Sequence, residues 1–420
     1  MEFFVERLGA LGDGIVNTRD STLFIPNALP GETVRINKIK RERTGLRAVI
    51  SEVVQSSPNR VIPPCKHFNE CGGCVAQHMG VDFYQKWKLS LVNNVLNGRI
   101  FFPNSSSLLS VDKSTRRRLR MAFVRLKGEV ILGFRKARSK KIVDITHCPI
   151  ATNGINSFIT KLRCFLFQGP KSGEITITEG SNGFDVLISA AQEPTHELRK
   201  LAADFCCSTN VIRLAWRIQG QEPELFLLVD KPQIFFGPAK VEFPVNCFLQ
   251  PTEQGESFLR EFSYQAICDA ASIIDLYAGC GTFSIPLAMA GKRVHSVEIN
   301  PEQVEVIQVN AQNLKLTAQV RDLRRQPISQ TQLDNFDVAI INPPRAGAVE
   351  QIKKLSQSKL KHILYISCNP KSFVRDAEIL INGNFQLCAM QAIDQFLWSF
   401  HIEIAALFIQ EKSNDLSPML

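Results

Sequence analysis

The C-terminal part of this sequence alternates short apolar runs with stretches of helical character. The runs SIIDLYAG, RVHSVEIN, FDVAIINPP and HILYISC begin at residues 272, 293, 336 and 362. This alternation is typical of βαβ units, in which helices connect the parallel strands of one sheet. In such a doubly wound sheet the loops after the strands open at one edge, where ligands bind. The pattern predicts an α/β domain over residues 245–420, with its functional residues at that edge.

Two further regions precede this domain. Residues 1–58 contain short strand-like runs separated by turn signals such as NALPG, a pattern that predicts a small β-barrel. Residues 59–244 begin with a proline-rich linker and a cysteine-rich loop, and a helix near residues 82–96 can pack on the C-terminal domain. Short strands and turns follow, so we expect a central domain of mainly β or α+β structure. A chain of 420 residues is long enough for three domains.

The composition is that of a globular protein with a basic surface. Hydrophobic residues make up 45% of the chain and charged residues 21%, and the formal net charge is +9. A positive balance favours a polyanionic partner such as nucleic acid. No apolar run approaches the roughly 18 residues of a membrane span, and the N-terminal residues do not resemble a signal peptide. We therefore expect a cytoplasmic protein, monomeric and outside any membrane.

Cysteines form a second informative pattern. The chain has twelve of them without a secretion signal, which favours metal ligation or catalysis over disulfides. In CKHFNECGGC, two glycines let the backbone fold tightly enough for Cys65, Cys71 and Cys74 to converge on one point. Cys148 in ITHCPI is the best fourth ligand, because the following proline fixes a loop there. Four thiolates suit zinc or an iron–sulfur cluster, and three close cysteines with one distant partner favour [4Fe-4S].

A glycine loop, DLYAGCGTFSIPLA from Asp275 to Ala288, lies between a predicted strand and a helical stretch. Its glycines allow a tight turn, and the following helix N-terminus favours an anionic group such as a carboxylate. Glu298 ends the next apolar run, about 20 residues further on, where an acid can accept both ribose hydroxyls of a nucleoside. The third glycine of a dinucleotide fingerprint is missing. The loop therefore fits S-adenosylmethionine (SAM) better than NAD.

Three further stretches carry candidates for chemistry. In INPPR, consecutive prolines hold the loop rigid and expose Asn342, whose amide can pair with the N3–H and O4 edge of uracil. Cys368, at the end of HILYISC, is either a packing residue or a nucleophile. In DQFLWSFHIE, His401 and Glu403 alternate and would share one face of a strand. Taken alone, His401 fits a structural role, and Glu403 fits a surface carboxylate.

Along nearly the whole chain, these motifs resemble the SAM-dependent RNA uracil-5-methyltransferase family. GDGIV with FIPNALPGE resembles a TRAM domain, a small RNA-binding barrel, and CKHFNECGGC with a distant CP resembles the [4Fe-4S] site of the cluster-bearing members. FLQPT, DLYAGCGTFSIPLA, NPPR, YISCNP and DQFLWSFHIE follow in the order of the family. The resemblance implies a Rossmann-like SAM domain and two catalytic residues, Cys368 as nucleophile and Glu403 as base. The cofactor and substrate site that it implies comprises Gln250, Tyr277, Thr282, Glu298 and Asn342.

The reaction implied by this resemblance begins with attack of the Cys368 thiolate on C6 of a uracil. The attack makes C5 reactive toward the methyl group of SAM, and Glu403 then removes the C5 proton. The target uridine would be flipped out of its RNA. Because cluster-bearing members act mostly on ribosomal RNA, the predicted substrate is 23S rRNA. The basic stretches STRRRLR, with Arg116, Arg117, Arg118 and Arg120, and FRKARSKK would contact phosphates.

Three departures from the family pattern keep alternatives open. Asn342 stands where aspartate is usual, Thr252 where asparagine is usual, and the FLWS of residues 396–399 where Phe-Pro-x-Thr is usual. A neutral amide can still pair with uracil, although it cannot accept hydrogen bonds as a carboxylate would. The substrate could instead be transfer RNA, or Asn-Pro-Pro could direct methylation of an exocyclic amino group without any thiol. A third alternative is an RNA-binding or redox protein in which the cluster carries the function.

Overall fold

The structure is a computed structural model that describes residues 1–19, 21–42, 45–100, 107–267 and 269–411. Within these ranges the chain forms three large β-sheets, one short β-hairpin and nine α-helices. Buried apolar side chains form four clusters, one in each of the first two sheets and two on the faces of the third.

The N-terminal region is a curled, six-stranded sheet of order β1-β5-β6-β4-β3-β2. Register shifts between β5 and β6 bend this pair of long strands, as β-bulges do. The backbone of Val5 bonds to both Glu32 and Gly31 at 2.9 Å, which extends the pairing of β1 with β5. The predicted strands are thus observed. They are β1 (Glu2–Phe4), β2 (Arg7–Leu8), β3 (Asp13–Asn17), β4 (Thr22–Pro26), β5 (Thr33–Glu42) and β6 (Gly45–Gln55).

A mostly antiparallel seven-stranded sheet forms the middle of the chain, in the order β10-β9-β8-β11-β12-β13-β14. Two helices pack on it through apolar side chains such as Phe158 and Phe205. The hydroxyls of Thr152 and Thr195 cap these helices by accepting backbone N–H groups. Both helices are additional to the short strands and turns that the sequence pattern predicts for this region. The elements are β8 (Arg118–Leu126), β9 (Glu129–Arg135), β10 (Ile142–Asp144), α2 (Asn153–Phe167), β11 (Ser172–Glu179), β12 (Phe184–Ala190), α3 (His196–Thr209), β13 (Val211–Ile218) and β14 (Glu224–Leu228).

The C-terminal region is an eight-stranded sheet of order β19-β18-β17-β20-β21-β23-β22-β7, with helices on both faces. The strands from β17 to β21 pair in parallel, as predicted, and β23 runs antiparallel to both of its neighbours. Near-continuous burial of the central strands explains their unbroken apolar sequence. The elements are α4 (Glu253–Ala266), β17 (Ser272–Leu276), α5 (Ser284–Met289), β18 (Arg293–Glu298), α6 (Pro301–Asn310), β19 (Leu316–Val320), α7 (Gln330–Leu333), β20 (Val338–Ile341), α8 (Val349–Leu355), β21 (His362–Ser367), α9 (Pro370–Asn382), β22 (Phe385–Asp394) and β23 (Glu403–Gln410).

Several elements from the middle of the chain pack on this C-terminal sheet. Helix α1 (Val81–Leu96) lies over α9 and β22, and the short strand β7 (Leu108–Ser110) pairs with β22. The hairpin of β15 (Gln233–Phe236) and β16 (Ala239–Glu242) shares a hydrophobic cluster with the other face of the sheet. The boundaries at residues 58 and 244 stay predictions. Among the described residues, no helix combines the length and apolar character that crossing a bilayer requires.

Candidate active site

Five chain segments meet at the carboxyl edge of the C-terminal sheet. The strand order reverses at β17, which lies between β18 and β20, and ligands bind at such switch points in doubly wound sheets. The glycine loop follows β17, and Glu298 is the last residue of β18. Asn342 follows β20 and Cys368 follows β21, whereas Glu403 begins the antiparallel strand β23 and so returns to the same edge. The fold thus gathers the predicted residues at one edge.

The glycine loop is a tight turn with an unusual backbone. Gly279 and Gly281 have φ angles of +58° and +87°. A Cβ atom on Gly281 would lie 2.8 Å from the side chain of Ile285, so the turn has no room for one. Tyr277 also has a positive φ of 62°, which is uncommon for a bulky residue and often marks a functional site. This geometry leaves the loop backbone open to a ligand.

Glu298 holds this loop in place. Its carboxylate accepts the backbone N–H of Gly279 at 3.0 Å, and those of Ile299 and Asn300 at 2.8 and 3.1 Å. A carboxylate offers about four acceptor sites, so these bonds leave capacity for a ribose hydroxyl. The residue predicted as a cofactor ligand therefore also shapes the cofactor loop.

The other residues predicted for this site differ in how free their side chains are. Thr282 and Asn342 are half-buried, and neither side chain makes a hydrogen bond within the described part of the chain. Gln250 is buried, and its amide oxygen accepts a bond from Gln395 at 2.8 Å. Thr282 and Asn342 are therefore available to a ligand, whereas Gln250 is already part of a polar network.

Cys368 and Glu403 face each other across neighbouring strands. The last antiparallel pair of β21 and β23 joins Ser367 to Ile404, so the next pair in this register is Cys368 and Glu403. Cys368 itself lies one residue beyond the end of β21, and it is near enough to Glu403 for the carboxylate charge to raise the pKa of the thiol. A thiol and a carboxyl group placed side by side can act on the same substrate ring, one after the other.

Burial controls the protonation of both groups. Desolvation raises the pKa of Glu403 to about 8. A hydrogen bond from the Gln395 amide at 3.0 Å has the opposite, smaller effect and lowers this pKa. Desolvation also raises the pKa of Cys368 to about 11, with a smaller contribution from the Glu403 charge and an opposing one from Arg345. A base with a pKa near the working pH is well suited to proton transfer. The thiol, in contrast, needs a nearby positive charge to ionise.

Two residues near these groups were missed as candidates. Gln395 is buried, and its amide nitrogen donates to both Gln250 and Glu403, so it links the two. Arg345 is exposed, and its charge favours the Cys368 thiolate. The NPPR motif contains Arg345 and could have pointed to it. No pattern around Gln395 indicated its role, because its partners are 145 and 8 residues away.

The four predicted cluster ligands line one cavity. Cys65, Cys71, Cys74 and Cys148 surround a volume of about 390 Å³ whose walls also include Arg116 and Phe396. Gly72 donates its N–H to Arg135 at 3.0 Å, which presses the cysteine loop against β9. The side chain of Asn156 bonds to the backbone of Cys148 at 2.8 and 3.1 Å and fixes the second loop. Two segments distant in sequence thereby line the same cavity with four cysteines.

Burial keeps the thiols of this cavity protonated. Burial, and then the neighbouring thiols, raise the pKa of Cys74 to about 12, and burial raises the pKa values of Cys71 and Cys148. Such thiols ionise only next to strong positive charge, which a bound metal supplies. Across the described residues, however, no group of three or more histidine, cysteine or acidic side chains is arranged to hold a metal ion.

The predicted phosphate-binding role of the arginine run is wrong for Arg117. Its guanidinium is buried and pairs with Glu256 at 2.7 Å. Arg116 stacks on the ring of Phe396, and Arg118 donates to the backbone of Cys247. Arg120 is exposed but pairs with Glu174. The first three of these arginines therefore connect the central sheet to the C-terminal region, whereas the pair of Arg120 and Glu174 lies within the central sheet. A run of charges in the sequence does not reveal this.

A glycine loop at the switch point of a mostly parallel sheet is the arrangement of the α/β enzymes that bind nucleotide-like cofactors. Residues 239–411 match the model of the tRNA (Uracil-5-)-methyltransferase family. An uncharacterised RNA methyltransferase of Mesorhizobium japonicum is 35% identical over 412 residues, 96% of this chain and 97% of that protein. A 23S rRNA (uracil(1939)-C(5))-methyltransferase of Shewanella sediminis is 30% identical, over 96% and 94% of the two chains.

The chain therefore belongs to the RNA uracil-5-methyltransferase family, whose members are SAM-dependent enzymes. Among solved structures, the tRNA (uracil-54, C5)-methyltransferase of Pyrococcus abyssi in complex with S-adenosyl-L-homocysteine matches with a TM-score of 0.78. The match covers 97% of this chain and all of that one, at 22% identity, and it supports the mixed α/β fold.

Proposed function

We propose that this protein methylates C5 of a uridine in RNA, with Cys368 as nucleophile, Glu403 as general base and SAM as methyl donor. The observation that carries the proposal is the opposition of Cys368 and Glu403 across β21 and β23. Family membership supports the reaction class, and this pair provides a thiol and a base next to each other at the carboxyl edge of the sheet.

The proposed reaction has three steps. The Cys368 thiolate forms a bond to C6 of the uracil, and the electron pair of the C5–C6 bond moves onto the ring as an enolate. C5 then takes the methyl group of SAM, and S-adenosylhomocysteine leaves. Glu403 removes the proton from C5, the C5–C6 double bond re-forms, and the thiolate departs from C6. Arg345 favours the thiolate in the first step.

The remaining residues would bind the two substrates. We assign SAM to the loop of Tyr277 and Thr282 and to Glu298, whose carboxylate retains capacity for ribose. Gln250 and the free amide of Asn342 would contact the reacting groups, with Asn342 pairing with the uracil edge. A base inside a helix cannot reach this edge of the sheet, so the uridine would enter flipped.

We also propose that Cys65, Cys71, Cys74 and Cys148 hold a [4Fe-4S] cluster. A zinc ion with bonds of about 2.3 Å would draw its sulfurs to roughly 3.8 Å from each other, whereas a cubane is wider. The four cysteines are among the residues that line a cavity of about 390 Å³, which has room for the wider group. When bound, such a cluster supplies a covalent cross-link and a one-electron centre.

The proposed substrate is 23S rRNA, and the enzyme would act as a cytoplasmic monomer. Relatives named for 23S rRNA are similar along almost the whole chain. Transfer RNA is the second candidate, because the family model and the Pyrococcus enzyme carry tRNA in their names. Mass mapping of 5-methyluridine in both RNAs from a deletion strain, with and without the gene restored, separates the two.

The test of the reaction itself uses purified protein, RNA and SAM labelled in the methyl group. We expect 5-methyluridine from the natural protein and none from Cys368→Ala. A Cys368→Ala protein that still made 5-methyluridine would contradict the proposal. A methylated exocyclic amino group as the product would support the Asn-Pro-Pro alternative instead.

A further inference from the structure

A charged pair with no part in the proposed chemistry lies behind the active site. The ammonium group of Lys88, on α1, is 2.7 Å from the carboxylate of Asp394 at the end of β22. Both side chains are completely inaccessible to solvent. Lysine and aspartate are almost never fully buried unless they are paired, because burying a charge is costly. We therefore expect this buried pair to have a structural or functional role.

The pair belongs to a network that holds one loop, residues 395–402, which leads to the proposed base. Lys88 also donates to the backbone carbonyl of His401. Tyr84, one turn earlier on α1, donates its hydroxyl hydrogen to the carboxylate of Asp394. The hydroxyl oxygen of Tyr84 in turn accepts the backbone N–H of Trp398 at 2.7 Å. Residues four apart lie on one face of a helix. One face of α1 thus grips the loop at its start, middle and end.

The middle of this loop has an unfavourable backbone conformation that needs stabilising contacts. Trp398 has a φ of +59°, a left-handed conformation that is unfavourable for a large side chain. Besides the bond to Tyr84, its carbonyl accepts the N–H groups of Val75 at 2.8 Å and Ala76 at 3.2 Å. Val75 and Ala76 directly follow the cysteine loop. The surroundings therefore over-determine the loop conformation from two sides.

Both ends of the loop are connected to Glu403, one through a hydrogen bond and the other through the chain itself. Asp394 precedes Gln395, whose amide donates to Glu403 at 3.0 Å, and His401 lies two residues before Glu403. We propose that Tyr84, Lys88 and Asp394 are positioning residues that align Glu403 with the C5 proton. This inference rests on the proposed function, and it concerns the last step of the reaction rather than the attack or the methyl transfer.

The test follows the covalent intermediate. Tyr84→Phe removes only the hydroxyl, and Lys88→Met with Asp394→Asn removes both charges together, so neither variant leaves a lone buried charge. We expect methyl transfer to RNA in a single turnover within about twofold of the natural protein. We expect elimination to slow by at least about tenfold, since an ångström of misplacement can cost about 100-fold. The methylated protein–RNA adduct should then accumulate, and kcat should fall more than KM.

A matched control uses another buried ion pair. Arg213 and Asp185 lie 2.7 Å apart in the central sheet and are also buried, so Arg213→Met with Asp185→Asn reports a general loss of stability. It should lower the melting temperature without any adduct. Tyr84 and Lys88 variants that also lose stability but form no excess adduct would overturn the inference. A natural protein that made no Cys368-dependent 5-methyluridine would instead overturn the proposed function itself.

Discussion

Cys368 directly follows β21, one residue beyond the antiparallel pair of Ser367 and Ile404, and Glu403 begins the neighbouring strand β23. Burial raises the pKa of each of the two groups. In the proposed reaction, attack and proton removal belong to separate groups. This also means that the two steps can be separated by substitution.

A variant without the thiol and a variant without the carboxyl group should therefore stop the reaction at different steps. Cys368→Ala should bind RNA and SAM without forming any covalent adduct. Glu403→Gln should attack and transfer the methyl group and then stall, because the C5 proton cannot leave. Denaturing electrophoresis with methyl-labelled SAM should show a labelled protein–RNA band for Glu403→Gln alone. A labelled band from Cys368→Ala would contradict this assignment.

The rate of elimination should rise with pH through about 8. Glu403 acts as a base only when deprotonated, and burial raises its pKa to about 8. Gln395→Met removes the amide that donates to Glu403, so the pKa should rise further and the profile should move to higher pH. Decay of the methylated adduct, measured from pH 6 to pH 10, reports this directly. Gln308→Met, an exposed change on α6, should leave the profile in place.

Stability should respond to the same carboxyl group. Because the folded pKa of Glu403 is raised from 4.5 to about 8, the folded state retains a proton that the unfolded state releases between these values. The contribution of Glu403 is thus most favourable below about pH 4.5 and is lost as pH rises to about 8. Glu403→Gln, which cannot ionise, should gain about 1.4 kcal/mol per pH unit over the natural protein in that window. Urea unfolding at pH 5 and pH 8 checks this, and an equal difference at both would contradict it.

The cysteine cavity predicts a coloured protein. Anaerobic purification should yield brown protein with stoichiometric iron and sulfide, since four thiols surround the cavity. Cys148→Ala should lose the absorption band, whereas Cys164→Ala, an exposed cysteine on α2, should keep it. Zinc in place of iron under these conditions would refute the cluster proposal.

RNA binding should depend on the lysines of the loop between β9 and β10. Lys140 and Lys141 are exposed and make no ion pair with any described residue, unlike Lys136 and Arg138 in the same loop. Replacing both by glutamine should flatten the slope of log K against log salt by about 1.5. Lys353→Gln is a suitable control, because its ammonium already lies 2.9 Å from Glu350. An unchanged slope in the double variant would exclude this loop from the RNA interface.

Local patterns in the sequence were enough to predict several elements of the fold. Apolar runs at strand spacing predicted the parallel sheet, and the glycine loop, Glu298, Asn342 and Cys368 all followed predicted strands. In a doubly wound sheet the end of a strand already defines an edge, so these positions needed no knowledge of contacts. The helix at residues 81–96 was likewise predicted within one residue of its observed start.

Which polar groups are paired and buried depends on contacts between distant parts of the chain, so this became visible only in the tertiary structure. The sequence could not indicate that Arg117 is buried against Glu256, or that Lys88 reaches Asp394 across about 300 positions of chain. Charge in a sequence predicts exposure, because a lone charge is costly to bury, and only a partner distant in the chain reverses that expectation. The same is true of Gln395, whose role depends on strands that lie side by side only after the chain has folded.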